Sequence, residues 1–179
     1  MNLKKIITFM AVLVFSFFIS QKVFASEKAA PTSGFGDDGV TWTVVEEDLT
    51  EDMNGSDSIS EGIVGYNPEP LKPLLKSVYR PSSVWNIASK GKYNFAGTSN
   101  GSTLYTNYKF KGKNTYTVYV KNYGKHVLKV KAKRLTKTYA TTSISAGKAA
   151  TFTFSGIQKD TEFYVTFDGS TTNFKGDIK

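Results

Sequence analysis

Lysine and tyrosine are the residues whose spacing suggests chemistry in this chain. Lys129, Lys131 and Lys133 alternate along the segment Val127–Leu135. If that segment is a strand, the three ammonium groups lie on one face, about 7 Å apart. Lys109 and Lys121 fall on neighbouring segments with the same alternation, and Tyr105, Tyr119 and Tyr164 are expected to point outward with them. Lysines beside tyrosine rings suit an anionic polymer, since the rings stack on sugars and the lysines pair with phosphate or carboxylate. The competing expectation is that lysines on a wet sheet face keep the protein soluble and block edge pairing.

Catalytic constellations are scarce. The chain has no cysteine and one histidine, His126. That histidine opens a lysine-rich segment, and no Gly-x-Ser-x-Gly elbow accompanies it, so a Ser-His-Asp triad is not expected. Too few His and Cys ligands exist for zinc. Paired carboxylates for glycoside hydrolysis would have to come from Asp160, Glu162, Asp168 and Asp177, which read as solvated turn acids. Asp52-Met-Asn54-Gly55-Ser56-Asp57 resembles the start of a calcium loop, but its glycine comes early and no glutamate stands at the twelfth position. No metal or cofactor is expected, and the function is expected to be noncatalytic.

The elements that would position the lysines lie between about Ser82 and Lys179. Tyr93–Gly97, Leu104–Phe110, Thr115–Lys121, Val127–Leu135, Tyr139–Ile144, the run around Phe152 and Phe154, and the run around Phe163–Phe167 all alternate with period two. Turn residues separate them: Asn100-Gly101, read as a hairpin, then Gly112–Asn114, Asn122–Lys125 and Ala146–Lys148. Phe174–Ile178 closes the series. About eight short strands at this spacing predict an all-β domain, an antiparallel β-sandwich in preference to a closed barrel.

Two segments precede that domain. Lys4 and Lys5 are followed by an uncharged apolar run, Ile6–Ile19, and by Val23 and Ala25 with small side chains before Ser26. This predicts a cleavable signal peptide over residues 1–25, export across a bacterial membrane and a mature chain Ser26–Lys179. The run is shorter than the roughly 20 residues a membrane span needs. From Ser26 to Pro70 there are eleven acids and one base, a net of −10; from Leu71 to Lys179 there are nineteen bases and four acids, a net of +15. The acidic stretch is poor in apolar residues and is expected to be flexible, with one strand possible at 40–45. Residues 71–81 read equally as a short helix or a proline-containing linker. The acidic stretch is a candidate to lie across the basic face and mask it.

Two functions follow as expectations. The first is a secreted module that holds an anionic envelope or matrix polymer. The alternative is a secreted factor, such as an inhibitor, antagonist or toxin-like effector, that binds an extracellular protein through its loops. Nucleic acid is not expected as a designed partner, because no groove-docking helix or RNA-binding signature is present.

Overall fold

Alternation of apolar and polar residues becomes strand after strand in a computed structural model of the chain, which describes residues 29–49 and 79–179. In chain order the strands are β1 (Thr32–Phe35), β2 (Thr41–Asp48), β3 (Val84–Asn86), β4 (Tyr93–Asn100), β5 (Leu104–Tyr105), β6 (Lys109–Lys111), β7 (Thr115–Asn122), β8 (Leu128–Arg134), β9 (Lys137–Ile144), β10 (Lys148–Ser155), β11 (Tyr164–Asp168) and β12 (Thr171–Ile178). A 3-10 turn, Asp37–Gly39, separates the first two strands. A four-residue helix, α1 (Ile87–Lys90), follows β3 and is capped by the Asn86 side chain, which accepts from the Ala88 N–H.

One antiparallel sheet has six strands in the order β1-β2-β10-β7-β12-β4, and a second has four in the order β5-β11-β8-β9. A small parallel pair, β3 with β6, joins at one end. Neither large sheet closes on itself: β1 and β4 are the edges of one, β5 and β9 of the other. The period-two pattern explains which side of each strand is dry. In β7 the residues Tyr116, Val118 and Val120 are buried. So are Leu128, Val130 and Ala132 in β8, and Ala150, Phe152 and Phe154 in β10. Side chains of the two sheets meet in one buried cluster. Phe167 of the four-stranded sheet lies 5.0 Å from the Phe95 ring and stacks on Phe174 at 4.1 Å, both from the six-stranded sheet.

Three features depart from expectation. First, the described part of the acidic stretch is ordered into the sheet. The strand anticipated at 40–45 runs over Thr41–Asp48 and pairs with β10 along eight residues. Among the described residues, strands therefore begin at Thr32 rather than near residue 82. The physical reason is local: Val40 and Val44 enter the core, while the acids around them find partners. Asp37 accepts a hydrogen bond from the Thr138 N–H at 2.7 Å, Glu46 accepts one from the Ser145 N–H at 2.6 Å, and Asp38 and Asp48 pair with Lys137 and Lys148 at 2.6 and 3.2 Å.

Second, most turns carry the chain between sheets. Asn100-Gly101 does turn the chain, with Gly101 at φ +79°, and Ser99 and Ser102 hydrogen bond across it. The strands on either side do not pair, however: β4 joins β12 and β5 joins β11. The expected return strand Leu104–Phe110 is split accordingly into β5 and β6. The Asn122–Lys125 turn is fastened by the buried Asn122 side chain, whose Nδ2 donates to the carbonyls of His126, Ile144 and Ser145 and whose Oδ1 accepts from the Gly124 N–H.

Third, Tyr164 sits on the outward side of its strand but is 5% exposed, not open to solvent. The anticipated signal peptide, the calcium-like run at 52–57 and nearly all of the 71–81 helix or linker lie outside the described residues.

Candidate functional site

The outer face of the four-stranded sheet follows from β8. Driving Leu128, Val130 and Ala132 into the core sends Lys129, Lys131 and Lys133 outward together. The neighbouring strand is in register with them: Lys133 stands opposite Tyr164, Lys131 opposite Thr166 and Lys129 opposite Asp168. Tyr105 of β5 stands opposite Thr166 on the far side. Tyr105 thus joins the lysine row, with its ring 5.6 Å from that of Tyr164. Burial raises the Tyr164 phenol above its ordinary range, and Tyr105 adds to this while Arg80 opposes it. Tyr164 is thus the packed support of Tyr105, which is itself half-buried.

Carboxylates temper the charge of this face. Lys131 pairs with Asp168 at 3.4 Å, and the same carboxylate accepts a short hydrogen bond from the Thr103 hydroxyl. Lys109, expected on this sheet face, lies instead on β6 of the small parallel pair, where it pairs with Glu162 at 2.9 Å. The hydrogen bond from Lys109 holds the Glu162 carboxyl below its ordinary range, against partial desolvation, and the positive charges of Lys109, Lys111 and Arg134 lower it further. Among the described residues, Lys129 and Lys133 have no carboxylate within 4.0 Å. They are the two cations of this row best placed to meet an incoming anion. Exposed pairs such as Lys131–Asp168 are worth only about 0–1 kcal/mol, so an incoming anion can compete for Lys131 as well.

Lys121 and Tyr119, expected on the same face, are not there. Both lie on β7 in the six-stranded sheet, on its side away from the core. Lys121 stands opposite Lys175 and Tyr119 opposite Asp177, beside a hollow of about 400 Å³. Alternation correctly places these side chains outward, but it carries no information about which sheet a strand joins. Asp177, expected as a solvated turn acid, lies within β12 and pairs with Lys92 at 4.0 Å.

The remaining residues with chemical potential serve packing. Trp85 is half-buried in an aromatic corner, 5.3 Å from Tyr93 and 5.6 Å from Tyr108, and its indole N–H donates to the Gly91 carbonyl at 3.0 Å. Among the described residues, no three His, Asp or Glu side chains gather to hold a metal ion. His126 lies exposed in a turn.

Comparison of the chain with protein-family models, curated proteins and solved structures finds no match. The geometry therefore carries the functional reading alone.

The aromatic corner gives a pH-dependent prediction. Burial, aided by Tyr108, pushes the Tyr93 phenol up to about 12. An unfolded chain would ionise this phenol near 10. The associated stability is complete below that pH and is lost as pH rises toward the folded value. At pH 11 the loss relative to pH 7 is roughly 1.4 kcal/mol from this group. Urea unfolding at the two pH values should show it, and Tyr93→Phe should remove that increment.

Proposed function

We propose that this chain is a secreted, noncatalytic bacterial module whose two large sheets form a β-sandwich. Its four-stranded outer face would hold an anionic polymer of the cell envelope or matrix. One observation carries the reading: Lys129, Lys131 and Lys133 stand in a single row beside Tyr105, with Lys129 and Lys133 lacking carboxylate partners among the described residues. Each cation contributes little to a single anion in water. A polymer with regularly spaced charges meets several at once, and linking weak contacts raises overall affinity without new ones. Tyr105 supplies a flat apolar surface for a sugar ring between the charges. The predicted signal peptide supports a location outside the cytoplasm.

Replacing Lys129 and Lys133 by Gln removes two such contacts. Binding to purified teichoic acid at low salt should fall about tenfold if each contact contributes about 0.7 kcal/mol. Wild-type binding should itself weaken between low and physiological salt, because exposed charges are screened over about 8 Å at 0.15 M. Affinity that ignores both the substitutions and the salt would refute the proposal.

A second reading has its own observation. Strand β9 is a sheet edge, and it borders a cavity of about 430 Å³ lined by Trp42, Val44, Glu46 and Thr141–Ser143. Asp37 and Glu46 occupy the N–H groups at the two ends of this edge, at Thr138 and Ser145. An extended segment of an extracellular protein could pair with the stretch between them. Capture of such a protein, indifferent to polyanion and abolished by Ser143→Pro, which removes an N–H of the open edge and not one of the β8–β9 ladder, would favour this role over polymer binding.

A further inference from the structure

Of the strands that end the two large sheets, β4 alone lacks the usual protection. Strand β5 has two residues and β1 has four. On β9 the Thr138 and Ser145 N–H groups already donate to Asp37 and Glu46. Strand β4 runs for eight residues, Tyr93–Asn100, and carries no charge and no proline. Charges, proline, bulges and short length are what keep edge strands from pairing with other chains.

The phase of the hydrogen bonds identifies which groups of β4 are open. Lys179 and Thr117 exchange two backbone bonds, at 2.9 and 3.0 Å, and Ile178 stands opposite Val118. Antiparallel residue pairs alternate between bonded and non-bonded. The odd-numbered residues of β12 therefore bond to β7, and its even-numbered residues bond to β4. Those even residues, Thr172, Phe174, Gly176 and Ile178, stand opposite Ser99, Gly97, Phe95 and Tyr93. The N–H and C=O groups of Asn94, Ala96, Thr98 and Asn100 thus point away from the sheet. The same four residues are exposed. Among the described residues, no backbone group from outside the sheet reaches them.

We propose that β4 is a self-association edge, which pairs antiparallel with β4 of a second copy of this chain. With the two-fold axis at Gly97, Ala96 stands opposite Thr98 of the second copy and Asn94 opposite its Asn100. Every open group is then used, in about eight hydrogen bonds. The strand offers no charge to a charged foreign segment, whereas its own copy satisfies it in one register with small, uncharged side chains facing each other. The lysine of β12 next to this edge is Lys175, opposite Ala96. Its counterpart in the second copy lies three strand spacings away, about 14 Å, beyond the screening length of about 8 Å at 0.15 M salt. The two-fold axis is perpendicular to the joined sheet, so the four-stranded sheets of both copies lie on one side of it. If the polymer-binding reading holds, two Lys129–Lys133 rows then meet the same polymer and raise its avidity. The pairing itself does not depend on that reading.

The test is sedimentation velocity of protein spanning Ser26–Lys179 from about 1 to 500 μM, with amide hydrogen exchange at both ends of the range. One strand pair is a small interface compared with the roughly 1,200–2,000 Å² of stable complexes, so a dissociation constant on the order of 10–100 μM is expected. The Ala96 and Thr98 amides should exchange at least several-fold more slowly at the high concentration, while the Phe95 and Gly97 amides, bonded within the sheet, should not change. Ala96→Lys with Thr98→Lys should leave a monomer with an unchanged urea midpoint, and so should Ala96→Glu with Thr98→Glu. Mixing these two variants should restore a dimer, because opposite charges then face each other across the pair. Lys129→Gln with Lys133→Gln should leave dimerisation unchanged, which separates it from polymer binding. A monomer throughout the range, a dimer indifferent to the edge charges, or Ala96 and Thr98 amides protected equally at both concentrations would overturn the proposal.

Discussion

Phe163→Ala should lower the unfolding free energy by about 3–5 kcal/mol, the usual cost of emptying an aromatic site in a packed core. Phe163 is 0% exposed. Its ring lies 4.7 Å from Tyr116, 5.4 Å from Phe154, 5.9 Å from Phe110 and 6.5 Å from Tyr139. Those partners come from β7, β10, β6 and β9, so the ring joins both large sheets and the small parallel pair. Its backbone exchanges two hydrogen bonds with Phe110, at 2.6 and 3.1 Å. Neighbouring rings held by sheet registers cannot collapse far into the space left behind, which places the cost toward the upper end. Small domains have only about 5–15 kcal/mol in total, so the urea midpoint should drop by a large fraction of its value. Phe35→Ala is the matched control: Phe35 is 83% exposed, and its replacement should change stability by no more than about 0.5 kcal/mol. A loss below about 1 kcal/mol for Phe163→Ala would mean that the aromatic cluster does not join the sheets as described.

The second large effect concerns the acidic strands. A fragment of residues 79–179 contains nearly all of the region that alternation alone marks as the domain. It should nevertheless fail to unfold cooperatively, with no folded baseline in urea. Without β2, strand β10 keeps β7 but loses its second partner along eight residues and becomes an unprotected sheet edge. Val40 and Val44 leave the core, uncovering part of the surface around Phe152 and Phe154. The Thr138 and Ser145 N–H groups lose their carboxylate acceptors, at about 0.5–3 kcal/mol each. Together these losses are comparable to the whole stability of a domain of this size. Adding residues 29–49 as a separate peptide should restore part of the structure. A fragment that unfolds cooperatively within 1 kcal/mol of the intact chain would show β1 and β2 to be dispensable.

Composition predicts a flexible acidic stretch with one strand possible at 40–45, and so misses β1 and the full pairing of β2 with β10. Charge and mean hydropathy are averages, and the average over residues 26–70 is strongly acidic. The decisive residues are few: Val40, Trp42 and Val44, spaced by two, with acids beside them that satisfy lysines and backbone N–H groups far along the chain. Local alternation was a reliable guide elsewhere, because burial on one face of a strand is a local demand. It identified Tyr116, Val118 and Val120, and also Phe163, Val165 and Phe167, all of them buried. It also set Lys129, Lys131 and Lys133 on one outward face. It could not assign Lys121 to a sheet, because β7 pairs with β10 and β12, both far along the chain. The same limit hid the crossing at Asn100-Gly101: a turn signal specifies a reversal but not which strand the returning chain will join.

The proposed role rests on charge presented by one sheet face, and co-sedimentation with bacterial cell-wall sacculi tests it most directly. Purified protein spanning Ser26–Lys179 would be mixed with sacculi that retain or lack teichoic acid, at low and at physiological salt, alongside the Lys129→Gln, Lys133→Gln double variant. The expected result is binding that requires teichoic acid, weakens with salt and falls about tenfold in the variant. Binding that is equal with and without teichoic acid, or absent at low salt, would contradict a polymer-holding face.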